Sequence, residues 1–307
     1  YLVLGKSLFV LRVFSTLLIL FSGFIVEKIL ENLKIENLPF YVFYLFLIPL
    51  HFSSEARCYA LIIFLSALLF LEITGKKRWY FLTIYSVLLN YTHYMSFIFM
   101  TYIFYIFLFK KEKKLIYTIF FTIIFTIPLF FLIKEQPLES LNWTKVFLKS
   151  FSPFYALSYF FSYYNINTYT FNPDLEFFSF SLIGFIILFF NLKEKFFQFL
   201  SYPFIFNFLS IFLVSYFYKN IYVPLKFNSF FFIPFFILFA NFISKNGKIY
   251  SVIRNSLFIL LFLLFFYNFL RCSEPNIAIK EITPILKPLK NDVNICVLGI
   301  WGPTVKY

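Results

Sequence analysis

The chain has 307 residues, 61% hydrophobic, 26% aromatic and 13% charged, with a mean hydropathy of +0.83 and a net charge of +13. Soluble domains carry about 25% charged residues, so too little polar surface is present to cover a water-soluble globule and that class is excluded. In a soluble protein so basic a balance would point to nucleic acid. Here the cations fall between apolar segments, so topology accounts for them and no nucleic-acid partner is implied.

Apolar segments fall near 8–26, 38–50, 58–73, 79–91, 94–109, 115–133, 177–191, 198–217, 226–243 and 252–270. Several are shorter than the ~20 residues of a full span, and pairs such as 38–50 with 58–73 read either as short spans joined by tight turns or as half-buried segments. The connectors alternate in charge. One set carries Lys28 and Lys34, then Lys76, Lys77 and Arg78, then Lys110, Lys111, Lys113 and Lys114, then Lys193 and Lys195, then Lys245, Lys248 and Arg254. These are fourteen of the 27 Lys and Arg, against seven in the alternate set. The excess assigns the basic set to the cytoplasm. The expected fold is an all-α polytopic membrane protein of about ten transmembrane segments, multi-pass in the plasma membrane and in contact with its lipids.

Two domains are expected, 1–270 in the membrane and 271–307 outside it. The long outer connector 134–176 carries Leu138, Leu141, Val146, Phe147, Phe151 and Phe154 near helical spacing, which suits a helix lying in the interface. Trp143 and the Tyr-rich run 155–169 suit the headgroup belt. In the tail, Ile277–Leu289 reads as a short amphipathic stretch and Ile295–Leu298 as a strand, the opening of a small extracytoplasmic α/β domain. Tyr1 in place of Met, with no anchor ahead of it, and a tail that stops in a strand lead us to expect an internal portion of a longer protein.

Chemistry is concentrated at two polar stops. His51 to Tyr59 holds Ser53, Ser54, Glu55 and Arg57, and Asn90 to Tyr94 holds His93. Ser53 or Ser54 can cap the helix that follows, and Glu55 then favours the positive end of its dipole. The chemical alternative makes Glu55 a ligand for a divalent cation or for an acceptor hydroxyl, and Arg57 a grip for phosphate. Tyr59 lies four residues past Glu55, on the same helical face. His93 reads either as an interfacial histidine bonded to backbone or as a metal ligand or proton shuttle. Lys226, at the start of 226–243, reads as a snorkelling cation or as a holder of lipid phosphate.

Three stretches carry a family resemblance: Ser54-Glu55-Ala56-Arg57-Cys58-Tyr59-Ala60-Leu61, Lys77-Arg78-Trp79-Tyr80 and Tyr91-Thr92-His93-Tyr94. Together they resemble the run seen in the dolichyl-phosphate-mannose-protein mannosyltransferase superfamily, the GT-C membrane glycosyltransferases, which include the aminoarabinose transferases of lipid A. Gly5 to Ser15 resembles the segment after that family's first outer loop, and Pro224-Leu225-Lys226-Phe227 its late Pro-Arg-Tyr helix, with Lys226-Phe227 in place of Arg-Tyr. The resemblance covers roughly residues 5–270. It implies an inverting transferase that takes a sugar from a polyprenyl-phosphate carrier to an extracytoplasmic acceptor, with Arg57, Tyr59 and Lys226 on donor phosphate or acceptor. Glu55 and His93 would be near a divalent metal cation, and the acidic general base would lie ahead of residue 1.

A polysaccharide polymerase or ligase shares the large outer loop. A lipid-linked glycan flippase calls for symmetric halves or mid-membrane ionisable residues, and a scaffold calls for no site. The topology makes a direct prediction. With Cys58, Cys272 and Cys296 replaced by Ser, a single cysteine placed by Glu112→Cys in the third basic connector should resist an impermeant thiol reagent in intact cells and react once the membrane is opened; labelling in intact cells would contradict it.

Overall fold

The computed structural model describes residues 8–35, 41–54, 58–134, 156–161, 175–217, 225–245 and 248–273. The chain is mostly helical, and no strand occurs among the described residues. In order come α1 (Leu8–Asn32), α2 (Val42–Leu45), α3 (Leu47–Ser54), α4 (Tyr59–Thr74), α5 (Trp79–Thr92), a 3₁₀ turn (Tyr94–Phe99), α6 (Met100–Phe109) and α7 (Leu115–Lys134). After a second 3₁₀ turn (Ser158–Phe160) follow α8 (Leu175–Leu192), α9 (Gln198–Phe217), α10 (Lys226–Ile243) and α11 (Lys248–Ser273). Three stretches are long and apolar enough to cross a membrane: Val10–Asn32 of α1, α9 and α10. The protein is thus a helical membrane protein. The extracytoplasmic α/β domain expected over 271–307 lies outside the described residues except for 271–273, which end α11.

Most apolar segments read from the sequence coincide with helices. Two are broken. The segment 38–50 is split at Phe46, whose ψ of 149° is extended. Pro49 lies in the first turn of α3, where its missing N–H costs nothing; a helix running through from α2 would need that N–H. The segment 94–109 opens as a 3₁₀ turn and becomes α-helical only at Met100.

Helix α10 is the post of the bundle. Every residue from Phe227 to Ile243 is buried, as expected of a helix apolar all round. It packs against α4, α8, α9, α11 and the second 3₁₀ turn. Phe43 and Phe46 of the α2–α3 break close on its Phe232 and Phe236 at 5.2–5.8 Å between ring centroids. Helix α1 packs on α3 and α4, and α5 on α4 and α7. At Gly23 of α1 a β-carbon would stand 2.0 Å from the Tyr44 hydroxyl, which donates to the Leu20 carbonyl at 2.8 Å. A larger residue there would push the Tyr44 ring aside and break its bond to Leu20.

The basic connectors gather at one end. Leu33, Thr74, Lys77, Lys110 and Phe196 line one cavity of about 170 Å³. Lys77 pairs with Glu112 at 2.9 Å and Lys245 with Glu194 at 2.7 Å, each bridging two connectors. Glu72, almost wholly buried near the end of α4, is held by the Arg78 guanidinium, whose Nε donates at 3.1 Å. Lys34, Lys77 and Lys111 all turn the chain with φ between 52° and 56°, and their charge suits the negative helix C-termini beside them.

One expectation about the outer connector needs correction. Residues 156–161, part of the run assigned to the headgroup belt, are buried. Phe160 stacks on Phe235 at 4.1 Å, and Phe161 lies against Phe46, Phe180 and Phe235. Phe235 is nine residues into α10, so this turn dips about 13 Å below the start of that helix. Irregular backbone is tolerated at such depth only where protein surrounds it, and α3, α8 and α10 do so here. The remainder of the connector, including Trp143, lies outside the described residues.

A buried amide clasp joins α8 to α10. Asn241 donates to Asn191 Oδ1 at 2.8 Å, and Asn191 donates to the Ile187 and Leu238 carbonyls at 2.7 and 3.0 Å. Asn191→Leu strands the Asn241 amide and should lower stability by about 1–3 kcal/mol. Asn191→Leu with Asn241→Leu removes both polar groups and should be less destabilised than Asn191→Leu alone. Detergent-solubilised unfolding checks the order; a double variant weaker than the single would contradict it.

Candidate functional site at the end opposite the basic connectors

Three of the five residues read as a site from the sequence are described, and they meet. Tyr59 opens α4, His93 follows α5, and Lys226 opens α10. The sequence order separates them widely, but each sits where its helix reaches the end away from the basic connectors. The Tyr59 and His93 rings lie 6.2 Å apart. Phe230, one turn into α10, touches both, at 6.5 Å from Tyr59 and 5.1 Å from His93. Phe52 closes on Tyr59 at 4.9 Å, and Tyr94 stacks on His93 at 4.8 Å. Glu55 and Arg57 lie outside the described residues, between Phe52 and Tyr59 in sequence.

Local backbone chemistry fixes the imidazole. His93 ends α5 by donating its N–H to the Leu89 carbonyl at 3.0 Å, then turns to extended φ and ψ of −161° and 126°. Its Nδ1 accepts the Met95 N–H at 3.2 Å, capping the 3₁₀ turn. Nδ1 is thus the acceptor, and in the neutral ring the proton sits on Nε2. Burial pushes the His93 pKa down from 6.5 to about 4, and the Lys226 charge adds to the shift. The ring is neutral at physiological pH and presents one N–H donor. That arrangement serves a fixed hydrogen bond to an oxygen; a metal at Nε2 would require the other tautomer.

Lys226 is half-buried. The residue before it, Leu225, has φ 63° and ψ −52°, a strained conformation for a side-chain-bearing residue, while its own side chain is 1% exposed. Burial of Leu225 therefore holds the turn that starts α10 and sets Lys226. Two residues on, Asn228 donates to the Ala156 carbonyl at 2.8 Å and anchors the buried turn at 156–161 beside the site. The positive end of the α10 dipole and the Lys226 ammonium act together at this point, an arrangement suited to an anion. Among the described residues no group of three or more His, Cys, Asp or Glu comes together.

His51, the other histidine, is buried in α3 beside Phe52. The sequence did not single out Phe230, Leu225 or Asn228. Phe230 is one of 54 phenylalanines, and only its position opposite both Tyr59 and His93 distinguishes it. No protein-family model, curated protein or solved structure matches the chain.

The depressed basicity of His93 gives a signed pH prediction. Unfolded, the ring takes its proton near pH 6.5; folded, near 4. Stability associated with the neutral ring is present above about 6.5 and is lost as pH falls from there to about 4. In carbon-13 NMR of histidine-labelled protein, with His51→Gln to assign the signals, the His93 midpoint should lie near 4. Lys226→Gln should raise it, because a like charge is removed. A midpoint near 6.5, unmoved by Lys226→Gln, would contradict this geometry.

Proposed function

We propose that this chain is the membrane part of a glycosyltransferase that moves a sugar from a polyprenyl-phosphate carrier to an acceptor at the outer face. The observation that carries the reading is the meeting of Tyr59, His93 and Lys226. Three stretches far apart in sequence, each part of the resemblance to the GT-C transferases, bring a phenol, a neutral imidazole and an ammonium to one helix mouth. This is an anion-directed set at a bundle end opposite the basic connectors, where a lipid phosphate in the outer leaflet has access. The finer topology belongs to the same proposal: ten segments, basic connectors in the cytoplasm, and this mouth outside, in the plasma membrane.

In the reaction an acidic base deprotonates an acceptor hydroxyl or amine. The acceptor oxygen or nitrogen attacks the anomeric carbon as the bond to the lipid phosphate oxygen breaks, with inversion. The leaving phosphate gains negative charge in the transition state. Lys226 and the positive end of α10 stabilise that charge, with the His93 Nε2–H as a neutral donor and Arg57 as a bidentate partner. A divalent cation, if one is held near Glu55, would share the same charge. The resemblance assigns the acidic base to a stretch ahead of residue 1, so the assay uses protein that carries that stretch. A polymerase or ligase would use the same phosphate chemistry on a glycan acceptor, and the donor assay below distinguishes it by product length.

Arg57→Ala should lower transfer from purified polyprenyl-phosphate sugar about 30- to 1000-fold, matching the roughly 2–4 kcal/mol of a lost charge-assisted contact. The loss should appear in kcat, because the contact strengthens as the phosphate leaves, and Arg57→Lys should restore little of it. Protein level and thermal stability, measured in parallel, should change little. Near-normal turnover by stably inserted Arg57→Ala protein would refute the role.

A further inference from the structure

A second candidate site lies at the opposite end of the bundle, and it does not depend on the transferase reading. Helices α6 and α9 run antiparallel, with Tyr105 and Tyr202 stacked at 5.9 Å. Between them opens a groove of about 940 Å³ whose walls include Phe104, Leu108 and Phe109 on α6 and Tyr202, Ile205 and Phe206 on α9. The groove is closed at its far end. There Asn207 donates to the Ile98 carbonyl at 3.0 Å and to Thr101 Oγ1 at 2.7 Å, binding the two helices together. From Thr101 to Phe109 is eight residues, about 12 Å of helix. That is most of one leaflet's share of a ~30 Å hydrocarbon core.

The near end lies at Phe109, next in the chain to a run of lysines. Phe109 is followed by Lys110, Lys111, Lys113 and Lys114, all exposed and making no ion pair among the described residues. The one carboxylate in that connector, Glu112, is occupied by Lys77 at 2.9 Å. Gln198, at the groove mouth, donates to the Leu192 carbonyl at 3.2 Å. Lys110 also lines the 170 Å³ cavity on the other flank of the α6–α9 contact, with Thr74 and Lys77. An apolar slot most of one leaflet deep, bounded above by the Asn207 bonds and ending below at Phe109, next in the chain to four exposed lysines, has the polarity of a single lipid molecule. A zwitterionic headgroup would leave the lysine charge uncompensated, and an anionic one would neutralise it.

We propose that this groove binds one anionic phospholipid of the leaflet at the basic end, acyl chains between α6 and α9 and headgroup phosphate on Lys110 and Lys111. Each juxtamembrane lysine favours an anionic headgroup by about 1 kcal/mol, or about fivefold in affinity. The test is native mass spectrometry of the purified protein titrated with dioctanoyl phosphatidylglycerol, dioctanoyl phosphatidylcholine or inorganic phosphate, with melting temperature followed in parallel. A one-to-one phosphatidylglycerol adduct should form, with a raised melting temperature. Phosphatidylcholine should bind more weakly, and inorganic phosphate alone should neither persist as an adduct nor stabilise. Lys110→Gln with Lys111→Gln should cut the preference for phosphatidylglycerol about 25-fold while leaving the lipid-free melting temperature unchanged. Leu108→Trp, at an exposed groove wall, should weaken both lipids alike. Equal retention of the two lipids, stabilisation by phosphate alone, or a preference that survives the lysine substitutions would overturn the proposal.

Discussion

The structure depends on the burial of α10. A membrane helix gains nothing by hiding apolar surface from lipid that is equally apolar, so it is enclosed only where packing and interhelical hydrogen bonds favour it. In α10 both are present. Its phenylalanines interdigitate with those of α2, the α2–α3 break, α9 and the buried turn at 156–161. Asn228 and Asn241, near its two ends, tie it to that turn and to α8. Once α10 is enclosed, the position of Lys226 follows, because the helix begins there and the strained, buried Leu225 fixes the turn before it.

The two ends of the bundle treat charge differently. At the basic end, ion pairs join connectors at partly exposed positions, where each is worth little alone, and lysines outnumber carboxylates. At the other end, Tyr59, His93 and Phe230 form an aromatic wall that excludes water, and burial keeps the imidazole neutral beside an ammonium. A phosphate bound there would meet both the Lys226 charge and the positive end of α10. The same physical argument, applied at the basic end with solvent-exposed lysines and an apolar slot, leads to a lipid headgroup.

Much of this was legible in the sequence. Helix positions followed from apolar runs because in a bilayer the backbone must satisfy itself within each segment. Tyr59 and His93 stood out as part of polar stops in an apolar chain, and the alternation of basic connectors placed both at the same end. What failed had a specific cause each time. The break at Phe46 needed the geometric consequence of Pro49, which an apolar run conceals. The buried turn at 156–161 was read as headgroup belt because tyrosine is amphipathic and suits either place. Phe230 could not be told from its many neighbours of the same type. For His93 the sequence left a backbone-bonded histidine and a metal ligand or proton shuttle both open; the Met95 N–H bond to its Nδ1 is a backbone contact of the first kind, with a partner that sequence does not name.

The central claim is that Tyr59, His93 and Lys226 form one phosphate-directed mouth. An electron cryo-microscopy structure of the protein in a lipid nanodisc with a non-transferable polyprenyl-phosphate sugar tests it most directly. The account predicts the donor phosphate within hydrogen-bonding distance of Lys226 Nζ and His93 Nε2, at the start of α10. A phosphate bound elsewhere, with the His93–Phe230–Tyr59 wall closed and empty of ligand, would contradict it.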